Sequence, residues 1–169
     1  MAVVAIVPFA TAHGGTTTPQ SVNVKASVAS SCELAASETD VAFGAIPAFL
    51  ATTQAASGSV TFTCNKGANV SVTVGNGNYH GLGQSASLRA MKSGASDYIS
   101  YHVFRPTGAT FSTCTGSTEW TTALNVKSLW TNAGGAHTIK LCGRVDAAPA
   151  TGYAAGTSYA DVIMVQATF

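Results

Sequence analysis

Charge is scarce in this chain. Only 9% of its 169 residues are Asp, Glu, Lys or Arg, and the formal net charge is +1. A surface this neutral has no electrostatic footprint for nucleic acid or for an anionic membrane. No apolar stretch reaches the roughly 20 residues needed to cross a bilayer, so membrane insertion is not expected. The catalytic signatures G-x-S-x-G, G-x-x-x-x-G-K-[ST] and H-E-x-x-H are missing, and the chain is not expected to be an enzyme. His13, His80, His102 and His137 are scattered without metal-ligand spacing. No C-x-x-C pair accompanies them, and neither a metal nor a cofactor is expected.

What the chain does have is Ala, Gly, Ser, Thr and Val, with 46% hydrophobic residues. This composition suits many short strands with small side chains on their wet faces. Residues Ala2 to Phe9 form a short apolar run ending in Ala10-Thr11-Ala12, the small-x-small form of a signal-peptidase site. Residues 1–12 are therefore read as the remnant of an export signal, 13–28 as an N-terminal extension, and 29–169 as a single domain. Behind an export signal, the even set Cys32, Cys64, Cys114 and Cys142 implies disulfides. Three pairings are open at this level.

Strand patterning begins early. In Ser21 to Val28 the side chains of Val22, Val24, Ala26 and Val28 share one parity, while Asn23, Lys25 and Ser27 take the other. That is the period of a strand with one buried face. Val41 to Gly44 reads as a short strand. Val60, Phe62 and Cys64 alternate with hydroxyl residues, as do Val70, Val72 and Val74, and Asn65-Lys66-Gly67 between them predicts a hairpin. Further strands are expected at 87–91, at 98–105 with Ile99, Tyr101 and Val103 toward the core, at 138–145, and at 159–169 with Ile163, Val165, Ala167 and Phe169 on one face. Residues 107–137, which contain Trp120 and Trp130, show no sustained period. The tryptophans suit either burial or a sugar-stacking surface. Seven or so strands and no amphipathic helix predict an all-β, two-sheet sandwich.

The chain resembles the spore coat protein U domain family, in particular major subunits of archaic chaperone-usher pili, over residues 21 to 169. The likeness is carried by Val22 to Val28 followed by Cys32, Phe43-Gly44, Val60-Thr-Phe-Thr-Cys64, Leu88-Arg-Ala-Met91, Ile99 to Arg105, Gly156 to Val162, and the terminal Phe169. The resemblance implies an incomplete immunoglobulin-like β-sandwich completed by a donor strand from a neighbouring subunit, with Val22, Val24, Ala26 and Val28 as the inserting side chains. It also implies identical subunits in a filament, a periplasmic chaperone and an outer-membrane usher as partners, and an extracellular pilus serving adhesion and biofilm formation. It carries over a Cys32 to Cys64 bridge, which leaves Cys114 to pair with Cys142. The sequence departs from the family in two places: Ala155-Gly156-Thr-Ser-Tyr159 lacks the proline common before the glycine and has an extra residue, and the second cysteine pair is not general. The competing expectation is a self-contained secreted coat or carbohydrate-binding module, with residues 22–28 paired inside their own sandwich.

Overall fold

Alternation converts directly into strands where hydroxyl residues flank valine and phenylalanine. In β2 (Gln54–Cys64) Val60, Phe62 and Cys64 are buried, and the intervening threonines face outward. Thr61 bonds the Thr138 hydroxyl across that wet face, 2.8 Å apart. The computed structural model describes residues 23–34, 38–155 and 158–169. Residues 1–12, Val22 and the Gly156 position of the family likeness lie outside the described residues.

Two sheets enclose the core. The larger has the order β1-β2-β7-β5-β4, built from β1 (Cys32–Leu34), β2, β4 (Arg89–Ser93), β5 (Asp97–Phe104) and β7 (Gly135–Val145). The smaller is β6-β3-β8, from β3 (Ser71–Val74), β6 (Leu124–Asn125) and β8 (Val165–Thr168). All pairings are antiparallel, and β2 and β7 share an unbroken register from Gln54↔Val145 to Cys64↔Gly135. This is an immunoglobulin-like two-sheet sandwich, and the all-β expectation holds.

The hairpin expected at Asn65-Lys66-Gly67 does not form. β2 and β3 belong to different sheets, so the turn carries the chain across the sandwich. Gly67, at φ +81°, donates its N–H to the Trp130 carbonyl. Alternation reports which face is buried but not which sheet a strand joins. The hairpin that does form is β4–β5, turned at Gly94 with φ +59°.

Residues 107–137 are ordered by distant partners rather than by a period of their own. Glu119 bridges Phe104 in the backbone, and Thr107 bridges Thr113. Trp120 and Trp130 are fully buried, the first with its backbone N–H donated to the Val103 carbonyl of β5 and the second at the end of a 3₁₀ turn (Lys127–Trp130). Their indole N–H groups donate to the carbonyls of Val72 and Gly135. They are core residues, and no face is left for stacking a sugar. Cys32 is bonded to Cys64 and Cys114 to Cys142. The first bridge closes the β1–β2 end of the large sheet, and the second fastens the 107–118 loop to β7.

Candidate functional site

The described backbone leaves one long groove between the sheets. One wall is the segment 38–46, which follows β1 and touches the sheet through the pair Thr39↔Ser59. The Gln54 side-chain amide supports that wall by donating to the Phe43 and Ala45 carbonyls. The opposite wall is the segment 158–165 leading into β8. Its outer edge is held by the Lys92↔Ala160 bridge and by the Gly75 N–H donated to the Met164 carbonyl, 2.8 Å. Among the described residues no backbone hydrogen bond joins the two walls.

Two hollows of about 690 and 610 Å³ lie end to end along this gap and share Val41, Phe43, Met91 and Tyr159. The first runs from Leu34 to Phe43 against Tyr159 to Val165, and the second from Val41 to Ile46 against Tyr153 to Tyr159. The walls are therefore antiparallel, with Leu34 and Val165 at one end and Ile46 and Tyr153 at the other. Val60, Met91, Tyr101 and Leu141 make the floor of the first hollow. The strand expected at 41–44 and the 159–164 part of the strand expected at 159–169 do not form ladders: 41–44 makes no backbone hydrogen bond to another strand, and 159–164 makes only the isolated Lys92↔Ala160 bridge and the bond from Gly75. Ile163, Val165 and Ala167 do pack against the core, in the expected parity, while Phe169 is largely exposed. Val162 and Met164 are 60% and 75% exposed.

The groove floor is polar at one point. The Tyr101 hydroxyl donates to Asp161 Oδ2 at 2.7 Å, and the Asn78 N–H donates to Asp161 Oδ1 at 2.8 Å. Burial first, then the hydrogen bond to Asp161, pushes the Tyr101 phenol far above its ordinary range. Asp161 is thus a fastener between the groove wall, its floor and the 76–79 loop. Phe43 meets Tyr101 edge to face, with centroids 6.1 Å apart. Gly143 in β7 makes this possible, since a Cβ there would collide with Val41 Cγ1 and approach Phe43 Cζ.

The expected donor residues lie elsewhere. Residues 23–30 form no strand and make no ladder with their own sandwich. Val24 and Val28 are 92% and 87% exposed, and Ala26 is exposed beside them. Their parity predicts a strand with a buried face, yet nothing in the chain's own described body buries it.

Sequence reasoning missed a chain of charges across the large sheet. Arg89, 2% exposed, donates to the carbonyls of Gly75, Val74 and Trp120 and to Glu119. Glu119 and Asp146 then hold the two ring nitrogens of His102, each at 2.9 Å, and Asp146 also takes a bond from Arg144. With both nitrogens engaged by carboxylates, His102 has none free to act as a base toward a nucleophile. No local signal could have revealed this set, because its members come from β4, β5, β7, the residue just after β7 and the periodless 107–137 region. Among the described residues no group of three or more His, Cys, Asp and Glu is placed to hold a metal ion, and no helix is long and apolar enough to cross a membrane.

The chain is similar in fold to a chain in the crystal structure of the CsuC–CsuE chaperone–tip adhesion subunit pre-assembly complex from archaic chaperone-usher Csu pili of Acinetobacter baumannii. The two are 24% identical with a TM-score of 0.54 over 84% of this chain. The match spans 40% of the length of that solved chain. No curated protein matches the sequence. The model of the Spore Coat Protein U domain matches residues 18–166, and the chain belongs to that family.

Proposed function

We propose that this chain is a structural subunit of an extracellular chaperone-usher pilus that polymerises head to tail by donor-strand exchange. The carrying observation is the coexistence of two complementary defects, a sandwich groove without a strand between its walls and an exposed alternating segment without a groove. Residues 13–28 act as the extension and donor, and 29–169 as the body. Val22, Val24, Ala26 and Val28 insert into the groove of the next subunit while their backbone pairs with the 38–46 and 158–165 edges, the strand-addition mode of recognition. Burying three valines at about 1.5 to 3 kcal/mol each supplies roughly 4 to 9 kcal/mol before backbone pairing, and Ala26 adds least. A donor entering one neighbour while the groove receives another makes a contact that never closes, which gives a filament.

Before assembly the open groove exposes apolar side chains and unpaired backbone, a template for aggregation. A periplasmic chaperone covers it, and an outer-membrane usher exchanges that cover for a donor strand. The similarity to a chaperone–subunit pre-assembly complex supports this order. The assembled product is a cell-surface fibre for adhesion and biofilm formation, with no catalytic step. The test is deletion of residues 13–28. The shortened chain should remain bound to its chaperone and fail to form filaments under conditions where the full chain forms them. Normal polymerisation of the shortened chain contradicts the reading.

A further inference from the structure

A subunit that carries both a groove and a segment shaped to fill it faces a competing reaction, in which the segment folds back into its own groove and ends assembly. The root of the segment is held in a way that bears on this. Asn65, directly after the bridged Cys64, grips the two residues on either side of Ser30. Its Oδ1 accepts the Ser31 N–H at 2.9 Å, its Nδ2 donates to the Ala29 carbonyl at 3.0 Å, and its backbone N–H donates to the Ser31 carbonyl at 3.1 Å. The next residue, Cys32, is bonded to Cys64 and paired with it in the β1–β2 ladder. Residues 29 to 32 are thus fixed at the end of β2, and the segment before them leaves the body with Val24 and Val28 exposed.

The groove polarity shows what this hold prevents. The groove begins at Leu34, so the chain's own segment can reach it only by reversing direction within residues 29 to 33. That reversal needs Ala29 and Ser31 in turn conformations, with their N–H and carbonyl groups withdrawn from Asn65. Once reversed, the segment would run antiparallel to the 38–46 wall and parallel to the 158–165 wall. A second copy's segment carries no such constraint and can enter in either direction. We infer that Asn65 is a positioning residue that locks the root of the N-terminal segment outward, barring it from its own groove and reserving that groove for a second copy of this chain. An amide suits the task because it offers one acceptor to the Ser31 N–H and one donor to the Ala29 carbonyl. A carboxylate in its place keeps only the first bond, and a methyl keeps neither.

This inference rests on the donor-strand reading, and the experiment separates the two. The full chain, with both disulfides intact, is refolded by dilution from denaturant and its monomers and polymers are resolved by light scattering, with hydrogen exchange read at residues 23–28 in the monomer fraction. Two lost side-chain hydrogen bonds predict that Asn65→Ala raises the ratio of protected monomer to polymer by about tenfold. Asn65→Asp should fall between the wild type and Asn65→Ala, and it decides the matter alone if Asn65→Ala does not fold. A variant partition equal to that of the wild type overturns the inference. The chain lacking residues 13–28 is run beside them. If it polymerises like the full chain, the donor-strand reading fails. If it does not, and the Asn65 variants still partition like the wild type, the lock alone fails.

Discussion

Tyr101 concentrates several roles in one side chain. It lines the groove floor, packs against Phe43 and ties Asp161 in the opposite wall. Its phenol is held protonated in the folded chain above the ordinary value of 10.0. In the unfolded chain the same group ionises near 10, so the unfolded state binds fewer protons there and stability falls as pH rises past about 10. Tyr101→Phe should cost about 1 kcal/mol at neutral pH, because Asp161 keeps the Asn78 amide while losing one donor. Above pH 10 the variant should lose stability less steeply than the wild type, as measured by thermal unfolding across pH. Parallel alkaline slopes would show that Tyr101 does not carry the effect. The parity of Tyr101 was legible in the strand 98–105. Its bond to Asp161, 60 residues away, was not. His102 shows the same limit: its parity is that of a wet face, and the two carboxylates that cover it come from distant strands and loops.

Strands with clean alternation, such as Val60 to Cys64 and Val70 to Val74, form where the pattern places them. Their assignment to opposite sheets was hidden, because Asn65-Lys66-Gly67 has turn chemistry that serves a crossing between sheets as well as a hairpin. The groove walls were read as strands at 41–44 and 159–169 for a related reason. Their side chains alternate, but a ladder needs successive backbone pairs, and the walls have only isolated ones, Thr39↔Ser59 on the first and Lys92↔Ala160 with the Gly75 bond to Met164 on the second. The 107–118 loop depends on the Cys114–Cys142 bridge, which spans 28 residues. In the chain-entropy view its removal by Cys114→Ser with Cys142→Ser costs roughly 3 to 4 kcal/mol. A urea midpoint lowered by that cost divided by the m-value is expected. An unchanged midpoint would mean that the buried Trp120 and Glu119 order the region unaided.

At the scale of the molecule, the sandwich is complete in its core and open along one seam, and its N-terminal segment has the pattern of a core strand without a core. The seam was legible only through the family resemblance, which implies an incomplete sandwich, since no composition or period by itself signals that a strand is missing. The segment was legible as an alternation, and only the described body shows that its own sandwich leaves Val24 and Val28 in solvent. These are the two complementary features on which the proposed donor-strand exchange rests. The most direct measurement is a structure of the assembled fibre that locates Val24, Ala26 and Val28. The account predicts them between the 38–46 and 158–165 segments of the neighbouring subunit, with backbone hydrogen bonds to both. Finding them in the groove of their own subunit, or outside any groove, would contradict it.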